Sequence, residues 1–221
     1  MATISYMDEL VLEPRLSPVN TPTRSRPKGA VAKRAFDLVT ATLVLVLILT
    51  WLTPLLYALI MLTSPGPAFF LQRRTGRGRV PFWCYKFRTM YHQPNGPAFA
   101  HIQTADPRIT PLGNWLRRTN LDELPQFINV LMGDMSVVGP RPHALAHDEE
   151  FWNRLPHYAE RYQVRPGITG LAQTRGSRGL ANGTTTMRRR LQYDLFYKRK
   201  ASLGFDLLIC WWTVRDMFFG K

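Results

Sequence analysis

Cysteine is nearly absent: Cys84 and Cys210 are the only two in 221 residues, far apart and outside any CxxC or CxxH spacing. That excludes a disulfide framework and a cysteine zinc cluster, and the default reading is two reduced thiols in a cytoplasmic compartment. The five histidines, His92, His101, His143, His147 and His157, form no HExxH pattern, and only His143 keeps interest, through its neighbours. Acid is scarce as well. Fifteen Asp plus Glu face 29 Lys plus Arg, a net charge of +14 and a pI near 10.5, so the partner should be polyanionic: nucleic acid, an anionic membrane or a phosphorylated substrate. No internal repeat is present. With 45% hydrophobic and 20% charged residues, collagen-like, coiled-coil and wholly disordered classes are excluded, and the length suits one domain.

Charge is missing altogether from Leu38 to Leu62. As helix this stretch would reach about 37 Å against a hydrocarbon core of roughly 30 Å, so it is membrane-competent. Ahead of it, residues 1–30 carry Pro14, Pro18, Pro22 and Pro27 among Ser, Thr and Arg, the composition of a disordered tail without the layout of a secretory signal. Arg24, Arg26, Lys28, Lys33 and Arg34 precede the apolar run and Arg73, Arg74, Arg77 and Arg79 follow it, so both flanks are drawn to the cytoplasm. Pro54 interrupts the run by displacing the carbonyl of Thr50, and the Thr53 hydroxyl can satisfy a carbonyl one turn back. The expectation is a re-entrant helix-break-helix hairpin over residues 31–63, with a bitopic, proline-kinked helix as the alternative.

Beyond Ser64-Pro65-Gly66-Pro67 the chain, residues 64–221, reads as a cytoplasmic domain. Periodicity predicts strands at Phe82 to Phe87 and Met135 to Val138, and helices at 111–118, 126–132, 151–163 and 187–198. Residues 203–219 are rich in Leu, Trp and Phe with few charges, which suits a helix at a membrane interface or one packed on the core.

The densest polar stretch runs from Leu116 through Arg117, Arg118, Asn120, Asp122 and Glu123 to Gln126, followed by Gly133 to Pro142. Adjacent carboxylates flanked by arginines fit phosphate chemistry, one attacking phosphorus while its neighbour holds a divalent cation. A helix start capped by Asn120 or Asp122 is the alternative. Basic residues beside glycine and proline recur at Lys86 to Met90, with Arg88; at Gly139 to Pro142, with Arg141; and at Arg165 to Gly170. Three such sites together favour a diphosphate ligand over a merely solvated basic face.

Lys33 to Leu38, Ser64 to Pro67, Gln72 to Gly76, Lys86 to Met90, Leu121 to Gln126, Gly133 to Pro142 and Arg165 to Gln173, in this order, closely resemble the bacterial sugar transferase family. These are monotopic polyprenyl-phosphate phosphoglycosyl transferases that begin exopolysaccharide, O-antigen or glycan assembly. The resemblance runs from Lys33 to about Phe219. Larger relatives carry extra N-terminal membrane helices, so this chain looks like the minimal catalytic form.

The resemblance implies a ping-pong reaction. Asp122 attacks the diphosphate of a UDP-sugar and releases UMP, and a polyprenyl phosphate, such as undecaprenyl phosphate, then takes the sugar phosphate from the enzyme. It further implies Mg²⁺ on Glu123, a phosphate pocket lined by Lys86, Arg118, Arg141 and Arg165, and a further acidic site residue at Asp194. Asn120 stands where the family often has Ser, and Lys198 to Leu203 replaces a tryptophan-bearing stretch. The region between Arg175 and Thr186 is variable, which leaves the hexose open. The expected fold is therefore α+β and mostly helical: a monotopic membrane enzyme with interfacial amphipathic helices and a small β element. Its place is the cytoplasmic face of the bacterial inner membrane, with no nucleic-acid partner and with a homo-oligomer left open. The rival is a non-catalytic basic module on acidic lipid or nucleic acid, which does not explain acids interleaved with arginines around Asp122.

Overall fold

The computed structural model describes residues 29–93, 106–176 and 183–219. Of the tail expected over 1–30, residues 1–28 lie outside the described residues, as does part of the variable region after Arg175, while Gly29 and Ala30 already open the first helix. Helix dominates, with two small two-stranded sheets, so the α+β, mostly helical expectation holds.

The apolar run forms one succession of helical turns from Ala30 to Thr63, about 51 Å long at 1.5 Å per residue. It comprises α1 (Ala30–Val44), a π-helical stretch over Leu45–Leu49, and α2 (Thr50–Thr63) with Pro54 inside. Proline has no N–H to donate to the carbonyl four residues back and its ring crowds that carbonyl, and the helix absorbs it by widening one turn earlier: the Thr50 N–H reaches back five residues to the Leu45 carbonyl. Val44, Leu49 and Thr50 all keep right-handed helical dihedrals, so the expected hairpin does not appear as a reversal of the backbone. The repairing hydroxyl is also a different one. Thr50 donates to the Val46 carbonyl at 2.8 Å, and Thr53 makes no such bond among the described residues.

The helix is tied to one body at both ends. Near its start the Asp37 carboxylate, fully buried, accepts from Ser136 Oγ at 2.9 Å and the Val137 N–H at 3.0 Å, while Lys33 pairs with Asp206 at 2.8 Å. Near its end Leu52, Leu56 and Ile60 pack on Ala68, Phe87 and Leu116. The outward face bears Val39, Val46, Leu47, Trp51 and Leu62, all exposed, and only 22% of the most apolar stretch is buried.

An antiparallel hairpin follows, β1 (Phe69–Thr75) and β2 (Pro81–Phe87), in the register that sets Phe70 opposite Lys86 and Arg74 opposite Phe82. β1 escapes periodicity because Phe69, Phe70 and Leu71 are consecutive apolar residues and the charged ones after them are half buried. Helix α3 (Pro111–Thr119) starts on a Thr110 cap, a single 3₁₀ turn spans Leu121–Glu123, and α4 (Gln126–Met132) ends at Gly133, whose φ of 95° suits glycine. The short β3 (Ser136–Val138) is followed by α5 (Leu145–Trp152) and a 3₁₀ segment over Tyr158–Gln163. The continuous helix expected over 151–163 is thus broken, because Pro156 disfavours helix at Leu155 and His157 turns left-handed at φ 62°.

Strand β4 (Gly167–Thr169) pairs parallel with β3. The two glycine-bearing motifs that read as separate phosphate loops therefore lie side by side. A Cβ on Gly167 would sit 2.0 Å from the Gly139 nitrogen, so glycine serves main-chain contact here. The chain ends in α6 (Leu171–Thr174), α7 (Thr184–Lys200) and α8 (Leu203–Phe219). Ile209 of α8 is buried with Val137, Val138 and Tyr197, so the helix packs on the core, while Leu207, Trp211, Val214 and Met217 of the same helix are exposed.

Candidate active site

The turn that carries Asp122 and Glu123 is set by its leucines. Asn120 closes α3 in the left-handed region at φ 58°, and Leu121 and Leu124, one 3₁₀ turn apart, pack against the α2 cluster. Asp122 and Glu123 are thereby turned inward, both more than nine-tenths buried, against strand β2. Asn129 of α4 holds that arrangement by mimicking a missing strand: its Oδ1 accepts from the Tyr85 N–H at 3.1 Å and its Nδ2 donates to the Trp83 carbonyl at 2.7 Å. Neither Asn120 nor Asp122 caps a helix through its side chain, so the capping alternative is removed.

The two neighbours are treated differently. Glu123 receives Lys86 Nζ on Oε1 at 2.6 Å and Arg141 on both oxygens, at 2.5 Å and 3.0 Å. Burial pushes its pKa up, but Arg141 and then Lys86 outweigh burial and hold it well below the ordinary range. Asp122 makes no side-chain hydrogen bond or ion pair among the described residues. Burial raises its pKa, the nearby charges of Lys86, Arg141 and Arg117 pull it back, and Glu123 pushes it up. Lys86 is itself lowered, by burial first, against the attraction of Glu123 and with Arg74 and Arg141 adding repulsion. The result is a buried, uncommitted carboxylate in a field of cations, next to one that is clamped.

Of the sequence-predicted residues, Lys86, Arg141, Asp122 and Glu123 converge. The other four are found on other partners or at the surface. Arg88 turns its guanidinium to the end of α2, donating to the Pro65 and Ser64 carbonyls at 2.7 Å and 2.6 Å and to Ser64 Oγ at 2.9 Å. It straps the hairpin to the end of the helix. Arg118 is exposed, one residue too far round α3; Arg117 instead feels the charges of Asp122 and Glu123 and donates to Thr89 Oγ1 at 2.7 Å. Arg165 donates from Nε to the Gly133 carbonyl at 2.9 Å, at the C-terminus of α4. Asp194 is buried in an ion pair with Arg161 at 2.9 Å, and burial raises its pKa against that attraction.

Sequence reasoning missed Arg74, Arg117, Asn129 and Arg161. Arg74 lies on the Lys86 face of the hairpin by register and donates to the Pro142 carbonyl at 2.7 Å, beside Arg141. Arg161 is fully buried with His143, Asp148, Tyr158, Tyr162 and Arg190. Burial, with the Arg161 charge next, keeps His143 neutral by lowering its pKa well below the usual value. Arg190 is brought down to about 10 by burial and the neighbouring Arg141 and Arg161. A separate cavity of about 160 Å³, lined by Thr75, Arg79, Asp148 and Trp152 among others, borders none of the predicted site residues.

A family model described as bacterial sugar transferase matches residues 28–220. A UDP-glucose:undecaprenyl-phosphate glucose-1-phosphate transferase of Caulobacter vibrioides is 51% identical over 194 residues, covering 86% of this chain and 72% of its own. The protein of the same name from Escherichia coli strain K12 is 44% identical over 218 residues, 96% of this chain, which spans about half (47%) of that relative. An exopolysaccharide production protein, PSS, of Rhizobium leguminosarum bv. phaseoli is 43% identical over 188 residues, 83% of this chain and 94% of its own.

Proposed function

The chain belongs to the bacterial sugar transferase family, an enzyme family, and from that premise we propose that it transfers a sugar phosphate from a UDP-sugar to a polyprenyl phosphate. The observation that carries this reading is the contrast between the two adjacent carboxylates. Asp122 is buried, free of bonds among the described residues and ringed by Lys86, Arg141 and Arg117, whereas Glu123 is fixed.

A nucleophile needs its lone pairs. In the first half-reaction an Asp122 oxygen attacks the sugar-bearing phosphorus of the donor, the bond to the bridging oxygen breaks, and UMP departs with the electron pair. Lys86, Arg141 and Arg117 stabilise charge spread over the phosphoryl oxygens, and Glu123 keeps Lys86 and Arg141 in place. In the second half-reaction a polyprenyl phosphate oxygen attacks the same phosphorus and Asp122 leaves as carboxylate. Leu121 and Leu124, which flank the Asp122–Glu123 pair, rest on the apolar helix, and that tie is what would bring a lipid phosphate held near the helix within reach of Asp122.

Mg²⁺ fits these residues. Both Asp122 oxygens are open, and Glu123 spends three of about four lone-pair positions on Lys86 and Arg141. Glu123, with Asp122 beside it, would hold a divalent cation, which would supply charge neutralisation at the diphosphate. UDP-glucose is the donor favoured by the names of the relatives at 51% and 44% identity, and assembly of an exopolysaccharide is the setting favoured by the Rhizobium name. The apolar helix is proposed to embed from the cytoplasmic face without crossing, since Asp37 at one end and Ile60 at the other hold to the same body.

The test is a panel of UDP-sugars with undecaprenyl phosphate and detergent-solubilised chain, read by UMP release. With UDP-glucose labelled in the sugar and no lipid, wild-type protein should retain label and release UMP. The Asp122→Asn variant should do neither, and normal turnover by that variant would end the assignment. Full turnover in excess EDTA after dialysis against metal-free buffer would remove Mg²⁺ from the scheme.

A further inference from the structure

Arg141 can clamp Glu123 only if the main chain that bears it is held. Its neighbours Gly139, Pro140 and Pro142 carry no side-chain donor, and prolines 140 and 142 lack an N–H. The loop is tied on either side, by the Gly167 N–H on the Pro140 carbonyl at 2.9 Å and by Arg74 on the Pro142 carbonyl at 2.7 Å, and the Arg141 carbonyl itself is held by Arg161. Its Nη2 donates to the Arg141 carbonyl at 2.8 Å, and the same guanidinium is fixed by Asp194 of α7, from Nε at 3.0 Å and from Nη2 at 2.9 Å. Nη1 donates to His143 Nδ1 at 2.7 Å, two residues further along the same loop. Arg161 is 2% exposed and Asp194 3%, so neither meets solvent and the pair has one geometry to adopt.

Resting on the proposed reaction, we infer that Arg161, aimed by Asp194, is a positioning residue that sets Arg141 for phosphoryl transfer at Asp122. A planar guanidinium with five N–H groups in a fixed fork can bridge a carboxylate, a carbonyl and an imidazole at once, which an ammonium cannot. The arrangement makes α7, far along the chain, part of the working site: Asp194 acts through Arg161 and Arg161 through the Arg141 carbonyl. Buried charge of this kind is costly, and a merely structural strut of α7 could be apolar.

The experiment is a double-mutant cycle on the full chain in detergent, reading kcat/KM for UMP release with UDP-glucose and undecaprenyl phosphate. Arg161→Lys keeps the positive charge beside Asp194 but cannot also reach the Arg141 carbonyl. It should lower kcat/KM about 10-fold with UV circular dichroism unchanged, and Arg141→Gln should lower it about 100-fold. If Arg161 works through Arg141, the double variant stays near the 100-fold loss of Arg141→Gln alone. A double variant near 1,000-fold, or Arg161→Lys at wild-type rate, overturns the inference and leaves Arg161 a core strut. Asp194→Asn, which keeps the shape, carries the same cycle should Arg161→Lys not fold. Wild-type protein that releases no UMP from any UDP-sugar sinks the proposed reaction together with this inference, whereas turnover with additive variants sinks the inference alone.

Discussion

At the scale of single residues, two adjacent carboxylates differ in their bonds: Glu123 is clamped by Lys86 and Arg141, and Asp122 makes no side-chain bond among the described residues. Spacing alone left Asp122 and Glu123 open between phosphate chemistry and a helix cap, and it was the resemblance to the sugar transferase family that pointed to the first, with Lys86 and Arg141 beside them. Choosing between Arg117 and Arg118 was not possible, since successive helical residues point about 100° apart and the sequence does not say which face α3 turns to β2. The structure makes the choice testable. Arg117→Gln should lower UMP release by about 100-fold through lost charge stabilisation, whereas Arg118→Gln, exposed, should stay within about 3-fold. Comparable losses in both variants would mean that α3 presents another face. His143 gives a second prediction, on stability. Its folded pKa is depressed by burial and Arg161, so below the unfolded value of about 6.5 the unfolded chain binds a proton that the folded chain refuses. Stability from this group is therefore complete above that pH and falls below it, by at most about 1.4 kcal/mol per pH unit. The thermal midpoint should drop between pH 7 and 5.5, and His143→Asn, whose Oδ1 can replace the Nδ1 acceptor, should flatten the drop. An equally steep drop in the variant would assign it elsewhere.

At the scale of elements, composition located the apolar helix and missed how it is joined to the rest. Proline marked an irregularity, but the widening falls at Leu45–Leu49, one turn ahead of Pro54, and the helix runs on. Sequence periodicity could not foresee this because a π-helical turn changes the register without changing the residues. Arg88 is the converse case. Its motif suggested a phosphate ligand, yet the end of α2 leaves carbonyls at Ser64 and Pro65 that need donors, and a buried guanidinium answers them. Arg88→Ala should then destabilise the chain by about 2 to 3 kcal/mol, since buried carbonyls are left unsatisfied, and should lower activity only through loss of folded protein. A thermal midpoint unchanged while the KM for UDP-sugar rises sharply would return Arg88 to the substrate.

At the scale of the whole molecule, the question is how a helix of about 51 Å meets a bilayer core of about 30 Å. A straight crossing would separate the two ends, but Asp37 is bound to Ser136 and Val137, and Ile60 packs against Phe87 and Leu116. One body cannot sit on both sides. Charge agrees with geometry, because Lys33 and Arg34 before the helix and Arg73, Arg74, Arg77 and Arg79 after it all favour the cytoplasm. Val39, Leu47, Trp51 and Leu62 of the long helix and Leu207, Trp211 and Met217 of α8 are all exposed, so exposed apolar surface is carried by more than one helix. Cysteine placed at exposed Val31, ahead of the apolar run, and separately at exposed Val80 in the hairpin turn reports both sides of the helix, with Cys84 and Cys210 first changed to Ala. An impermeant thiol reagent should label neither position in intact cells and both in inverted membrane vesicles. Labelling of Val31→Cys in intact cells while Val80→Cys stays protected would show that the helix crosses, and the Asp37 and Lys33 contacts would then have to break in the membrane-bound enzyme. The proposed membrane placement and the proposed catalytic geometry rest on the same contacts. Asp37 holds Ser136 and Val137, whose strand leads directly into Gly139 to Pro142 and so to Arg141, and a chain that crossed would lose the support of its own active site.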